Sequence, residues 1–377
     1  MKEGWEYKTL GECCDVNYGT RVVRSKVSGS EFPVYGGGGE TFRINCYNRE
    51  NCLVVARFAM SKQCTRYVNG KFFLNDSGLT VSPKKDSCLT KELLEKYLFA
   101  NNDLIYSFGR GSAQRNLNMS EFRSMLISFP IDNNEQRRIV SYLDSSFKLI
   151  DEIKNKALKS LTEAKALFQS ALAEAMEPKE GWEKKTLGEI AEIKGGKRVP
   201  KGYKLLTEPT NHKYIRVADF NDFGSITLEN IQYISDEVYN QIKRYTISSK
   251  DVYISIAGTI GKSGIIPKEL EGANLTENAC KLVLDSCAYK YFVYYFTKSA
   301  LFLNQIKKLT MISAQPKLAL TRLATVNIPL PNLSTQKQIV SHLDSLSSKV
   351  QAIEEKYQKM VEECDALKQA MLRDVFE

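Results

Sequence analysis

Apolar positions recur at alternating intervals of three and four in two stretches of the chain. In the later stretch they are Leu343, Leu346, Val350, Ile353, Tyr357, Met360, Cys364, Leu367 and Met371. In the earlier one the matching positions are Leu143, Ser146, Ile150, Ile153, Ala157, Ser160, Ala164, Leu167 and Ala171. Such spacing predicts a helix with a coiled-coil seam, because a 3.5-residue repeat keeps one stripe facing one partner. Neither residues 135–176 nor residues 335–376 contain Pro or Gly. Each helix can therefore extend for roughly 60 Å. The earlier seam carries many small side chains where the later one carries large ones, so the two helices are expected to pack on each other. The alternative is two separate amphipathic helices, each lying on its own globular segment.

Both helices open on nearly the same phrase. EQRRIVSYLD occupies residues 135–144 and TQKQIVSHLD residues 335–344, an offset of 200. A second phrase opens each globular segment: GWEYKTLGE at residues 4–12 and GWEKKTLGE at residues 181–189, offset by 177. Trp5 and Trp182, the only two tryptophans, read as packing anchors at matching places. The growth in offset makes the second globular segment longer, with its insertions in the middle. The chain is thus two similar halves, each a folded segment followed by a long helix. The expected boundaries are 1–133 and 178–333 for the globular domains, and 134–177 and 334–377 for the helices.

Charge sharpens this division. The net charge of +9 splits into +4 over residues 1–133, zero over 134–177, +7 over 178–333 and −2 over 334–377. All the excess positive charge lies in the globular segments, the pattern of two polyanion-binding heads on neutral helical spacers. A general basic bias for solubility is the blander reading. At 377 residues, with 43% hydrophobic and 26% charged residues, the composition is that of a globular protein. The start, MKEGWEYKTL, is polar and no apolar run has membrane-spanning length, so a cytoplasmic protein is expected. Nine cysteines form no CxxC pair and read as free thiols. Zinc bound by Cys46, Cys52 and Cys64 is an alternative that their spacing does not favour.

Along the first segment, FPVYGGGGETFR (residues 32–43) carries Tyr35 and four consecutive glycines. The run either brings backbone close to a phosphate or forms a turn. Strands are expected at residues 52–58, 65–68, 71–74 and 78–82, and a helix at 90–100. GRGSAQR, residues 109–115, is a basic, glycine-bearing loop. Its side chains are of the types that hydrogen-bond base edges and phosphates. In the second segment, strands are expected at residues 215–219 and 251–257, and helix at 289–302. GTIGKS, residues 258–263, forms a glycine turn carrying Lys262. MISAQPK, residues 311–317, shares Ser-Ala-Gln with the first loop, and each loop is followed by an exit through Pro130 or Pro329.

Catalytic patterns are wanting. The P-loop glycine that should precede GKS by five positions is Ile256. No GxGxxG precedes a helix, no two prolines are adjacent, and His212 and His342 are far apart in sequence. Glu192 and Lys194 form an ExK pair without a suitable preceding Asp.

The duplicated GWE-x-KTLGE openings, PVYGGGG, the Pro130 and Pro329 exits and the duplicated Q-x-x-I-V-x-x-L-D helices together resemble the specificity subunit of type I restriction–modification systems. The resemblance covers the whole chain. It implies an α+β fold: two α/β target-recognition domains separated by two long antiparallel coiled-coil helices, with a pseudo-two-fold internal repeat. It implies a non-catalytic subunit reading a bipartite, asymmetric site in double-stranded DNA, with the helices fixing the unread gap. It also implies two modification subunits docked on the helices, and restriction subunits. No cofactor is expected in this chain; S-adenosylmethionine and ATP belong on the partners. The side chains expected to meet DNA are Tyr35, Arg57, Arg66, Arg110, Ser112, Gln114, Arg115, Lys197, Arg216, Lys262, Ser313, Gln315 and Lys317. Those expected to meet partners on the helices are Gln136, Ile139, Leu143, Gln336, Ile339 and Leu343. A methylation-only or other defence complex, or a coiled-coil scaffold binding protein or RNA, are the alternatives.

Overall fold

The proline- and glycine-free stretches form two uninterrupted helices, Asn133–Ala175 and Leu333–Phe376. The computed structural model describes residues 2–112, 114–221, 224–310 and 317–376. It divides into two units: Met1–Lys159 with Tyr357–Glu377, and Ser160–Lys356. Each long helix starts in one unit and ends in the other.

In the first unit the early part of one long helix lies antiparallel to the late part of the other. Lys154 Nζ is 2.7 Å from Asp365 Oδ1, and Lys368 Nζ is 2.5 Å from Asp151 Oδ1. Leu143, Leu372 and Phe376 share one core cluster. In the second unit Leu172, Met176, Val340 and Leu343 do the same.

The seam departs from the sequence expectation at two positions in each helix, while Ser146, Ser160, Leu346 and Met360 are half-buried as expected. Leu143, Ile150 and Ala157 are buried as expected, but Ile153 is 42% and Leu167 61% exposed. Ile353 and Leu367 are also exposed. Half-buried Phe147, Lys154, Leu161 and Phe168, one residue further on, occupy the seam instead. Spacings of three-then-four and four-then-three share half their positions. Apolarity favoured the wrong choice because the Lys154 stem lies in the seam while its ammonium reaches Asp365.

The first unit contains a six-stranded sheet in the order Cys14–Tyr18, Gly78–Pro83, Arg49–Ala56, Thr65–Leu74, Phe32–Tyr35, Glu40–Ile44. All neighbours are antiparallel except Phe32–Tyr35 on Thr65–Leu74. Residues 52–56 form a continuous buried apolar run, as a strand covered on both faces requires. Helix Lys91–Ala100 covers one side through Leu93, Leu94 and Leu98. The two short strands expected at 65–68 and 71–74 are one strand of ten residues. Gly70, at φ +78°, accommodates the irregularity and donates to Asn51 Oδ1 at 2.7 Å.

The second unit has a four-stranded sheet, Ala191–Gly195, Ala279–Leu284, Val252–Ser255, Ser263–Gly264, and a three-stranded one, Gln232–Ile234, His212–Ile215, Asn274–Leu275. The strand expected at 215–219 ends at Ile215 and gives way to a 3-10 turn, Val217–Asp219. Asp219 accepts from the Arg216 backbone amide at 2.7 Å and closes that turn. The helix expected at 289–302 is two helices, Lys290–Lys298 and Ala300–Thr310. Buried Ser299 separates them, its hydroxyl donating to the Phe296 carbonyl at 2.7 Å.

The duplicated phrases have local causes. In KTLGE the glutamate caps a short helix: Glu12 accepts from the Thr9 amide and hydroxyl at 2.6 and 2.7 Å, and Glu189 accepts from Thr186 at the same distances. Each opening strand pairs with an exit strand, Trp5–Thr9 with Leu126–Pro130 and Glu183–Thr186 with Asn327–Leu330. The glutamine that begins each helical phrase is fully buried. Gln136 accepts from the Thr90 amide (2.8 Å) and donates to the carbonyls of Cys88 (2.9 Å) and Pro130 (2.8 Å). Gln336 repeats this with Tyr289 (2.7 Å), Cys287 (2.9 Å) and Pro331 (2.8 Å).

Candidate nucleic-acid interface

In the first unit one turn gathers three of the expected residues, Tyr35, Arg57 and Arg66. The Ser77 carbonyl accepts from the backbone amides of Arg57 (2.9 Å) and Phe58 (3.3 Å), and the Ser77 hydroxyl accepts from the Gly37 amide (3.3 Å). A Cβ on Gly36 would lie 2.6 Å from the Ser77 hydroxyl, and one on Gly37 2.9 Å from the Phe58 carbonyl. The glycine run is therefore a closely packed turn, closed by Gly36 N–H to the Gly39 carbonyl at 3.2 Å. The Arg66 guanidinium lies over Gly39. The Arg57 guanidinium sits 4.6 Å from the Tyr18 ring centroid and 4.5 Å from that of Phe58. Stacking of this kind holds a planar cation in one orientation.

The basic loop is fastened beside this turn. The Arg57 carbonyl accepts from the Leu117 amide at 2.8 Å, and the Arg115 carbonyl from the Met60 amide at 2.9 Å. Ala59, at φ +49°, donates to Asn116 Oδ1 at 3.3 Å. Ser112 and Gln114 are exposed. Arg115 lies over Tyr106 and donates to the Gly109 carbonyl at 3.0 Å, while its buried Nε has no protein partner among the described residues. Arg110 forks onto Glu121 at 2.6 and 2.5 Å. Tyr35 is half-buried, edge-on to Phe72, and its carbonyl accepts from the Asn75 amide.

The second unit repeats four of these backbone bonds. The Asn278 carbonyl accepts from Ile256 (2.8 Å) and Ala257 (3.3 Å) as Ser77 does from Arg57 and Phe58. Leu318 N–H donates to the Ile256 carbonyl (2.8 Å), the counterpart of Leu117 on Arg57. Thr276 N–H donates to Ile215 (3.0 Å), the counterpart of Asn75 on Tyr35 (2.8 Å). The side chains at the equivalent positions differ. Ile256, buried, stands where Arg57 stands, and Arg216 follows Ile215 where Gly36 follows Tyr35.

The remaining expected residues differ in burial. Arg216 forks onto Asp219, which is 3% exposed, and donates to the Asn230 carbonyl. Its guanidinium neutralises a buried carboxylate, a structural duty. Lys197 and Lys317 are exposed and Lys262 is half-buried. Lys317 bridges Ala257, which puts it beside the Asn278 turn. The GTIGKS stretch turns between two antiparallel strands, with Gly258 at φ +72° and Gly261 at +90°. Ser313 and Gln315 lie outside the described residues.

On the helices the expected partner-facing set is largely inward. Gln136, Leu143, Gln336 and Leu343 are each 0% exposed, and Ile139 and Ile339 pack half-buried against the core clusters. The four buried side chains are closed inside their own units, so they hold each helix to its globular segment rather than face another protein. Among the described residues no cluster of three or more His, Cys, Asp or Glu is placed to hold a metal. Cys46 is exposed while Cys52 and Cys64 are buried, and burial pushes the Cys64 thiol up to about 11. No helix of the described residues is long and apolar enough to cross a membrane.

Residues 2–163 and 179–363 match the type I restriction modification DNA specificity domain, one copy in each half. The chain belongs to this family. It is a specificity subunit of a type I restriction–modification system. The MjaVIII specificity subunit of Methanocaldococcus jannaschii is 26% identical over 316 residues, covering 78% of this chain and 73% of that protein. The EcoBI specificity subunit of Escherichia coli is 26% identical over 166 residues, 43% of this chain and 34% of that one. A solved structure described as the basis of complex assembly and conformational transition of a type I system superposes with TM-score 0.77 at 20% identity, over 100% of this chain and 98% of that one. The HsdS subunit of Thermoanaerobacter tengcongensis gives 0.52 at 19% identity, over 100% and 97%. At these identities the two structures bear on the fold alone.

Sequence reading of the specificity subunit missed a third repeated phrase. Gly19-Thr-Arg-Val22 and Gly196-Lys-Arg-Val199 stand at the same offset of 177 as the opening phrases. Only Lys197 from this pair was anticipated. Tyr18 and Phe58, the rings that orient Arg57, were also unanticipated, because neither stacking partner is evident without the turn that joins them.

Proposed function

We propose that this specificity subunit reads a bipartite, asymmetric site in double-stranded DNA, one half with each globular segment, 1–133 and 178–333. The observation that carries the reading is the pair of turns that share four backbone hydrogen bonds and bear different side chains. A common frame with Arg57 in one copy and Ile256 in the other suits two readers of unlike half-sequences. The helices, 134–177 and 334–377, serve as the spacer that turns helix length into half-site separation. Arg57, Arg66, Gln114, Arg115, Lys197 and Lys317 are the side chains of the expected set best placed for DNA. Ser313 and Gln315 keep their sequence-based assignment to the second half-site.

Modification subunits dock along the helices. Support comes from exposed apolar side chains off the seam: Tyr142, Leu149, Ile153 and Leu367 in the first unit, Leu167 and Ile353 in the second. The subunit itself is non-catalytic. Methyl transfer from S-adenosylmethionine, with extrusion of the target base, falls to the modification subunits, and ATP-driven steps to restriction subunits. Gel shifts with random duplex DNA, with and without the modification subunit, together with sequencing of methylated sites, test this. Binding and a split methylated motif are expected. Absence of DNA binding by the assembled complex would defeat the proposal.

A further inference from the structure

The duplicated Gly-x-Arg-Val turn does the same thing in both units while its surroundings diverge. Gly19 N–H donates to the Gly78 carbonyl (3.0 Å) and Thr20 N–H to Leu74 (2.9 Å). In the second unit Gly196 donates to Ala279 (2.9 Å) and Lys197 to Leu275 (2.8 Å). A Cβ on Gly19 would lie 2.0 Å from the Asn75 carbonyl, and one on Gly196 2.1 Å from that of Thr276, so each turn is pressed onto its neighbour. Val22 and Val199 are half-buried. Arg21 and Arg198 between them are exposed, as are Arg24 and Lys201 two residues beyond the valines.

Each turn adjoins the segment that carries the candidate base-reading positions. Asn75, two residues before Ser77, donates to the Val22 carbonyl at 3.4 Å. Glu277, next to Asn278, lies 2.6 Å from Arg198 Nε. No carboxylate lies within ion-pair distance of Arg21 or Arg24 among the described residues. A cation kept at one backbone position, beside readers that differ, calls for a ligand common to all sequences. The DNA phosphate is that ligand, since phosphate contacts fix register and carry no base identity.

We infer that Arg21 and Arg198 are paired phosphate-positioning residues, one for each half-site, seated by the repeated Gly-x-Arg-Val turn and seconded by Arg24 and Lys201. The inference rests on the DNA-reading proposal and adds a division of labour: these residues set register while Arg57 and its neighbours discriminate. Because Glu277 already neutralises part of the Arg198 charge, Arg21 contributes more to affinity.

The test uses the full chain assembled with the modification subunits of its system. Arg21→Gln and Arg198→Gln each weaken binding to random-sequence duplex several-fold, the first more than the second. Each lowers the slope of log affinity against log salt by about one. The methylated motif keeps both half-sequences. Arg21→Lys and Arg198→Lys retain most of the affinity, which separates lost charge from lost folding. Unchanged affinity and salt slope in the Gln variants would overturn the inference and leave DNA reading intact. A changed half-sequence would overturn it too, by making the turn a base reader. Failure of the unsubstituted complex to bind duplex would instead remove the DNA reading beneath it.

Discussion

The turns at Ser77 and at Asn278 share four backbone bonds and almost none of their side chains. In the first, glycines admit close packing and Arg57 is held between Tyr18 and Phe58. In the second, Ile256 is buried and Arg216 closes a 3-10 turn on Asp219. The lesson is that hydrogen bonds between main-chain groups can preserve a geometry while most of the residues it displays are replaced. A duplicated subunit can then diverge in what it reads without rebuilding how it folds.

The largest effect should come from what the units have in common. Gln136→Ala leaves the Thr90 amide and the Cys88 and Pro130 carbonyls without their partner. A cost of about 3 kcal/mol to the first unit is expected, since each buried unsatisfied group costs about 1–3 kcal/mol. Gln336→Ala should cost the second unit a similar amount. Urea unfolding followed by hydrogen exchange in each unit measures both, and a large disparity would break the equivalence.

Next comes Arg216→Ala, which strands Asp219 at 3% exposure. A loss of about 2 kcal/mol, somewhat below the range for fully buried pairs because Arg216 is partly exposed, is expected by the same unfolding measurement. The first unit should be unaffected. Arg57→Ala should behave oppositely, with little change in unfolding and about 1–2 kcal/mol of lost discrimination in one half of the site. Sequencing methylated sites reads this as a degenerate position in that half. Degeneracy in both halves would contradict assigning one unit to each.

The repeat was legible in the sequence because two phrases survive almost unchanged, and both prove to be structural clasps: the Thr9 and Thr186 caps, and the Gln136 and Gln336 amides. The seam was legible only in part. Leu143, Ile150 and Ala157 belong to either phase, and only the packing of Phe147 and Lys154 against the second helix decides between them. The glycine run remained ambiguous because its reason, the Ser77 hydroxyl, lies 40 residues away. The strand expected at 215–219 failed because Val217 and Ala218 look β-forming while Asp219 caps Arg216. Arg21 and Arg198 escaped notice because their shared phrase is short, although its offset matches that of the opening phrases.

The spacer claim is tested most directly by removing one matched heptad from each long helix and sequencing the sites methylated by the assembled complex. Seven residues preserve the seam and shorten each helix by about 10 Å, equivalent to roughly three base pairs. The account predicts both half-sequences unchanged with the gap between them shortened by that amount. An unchanged gap with altered half-sequences would contradict it.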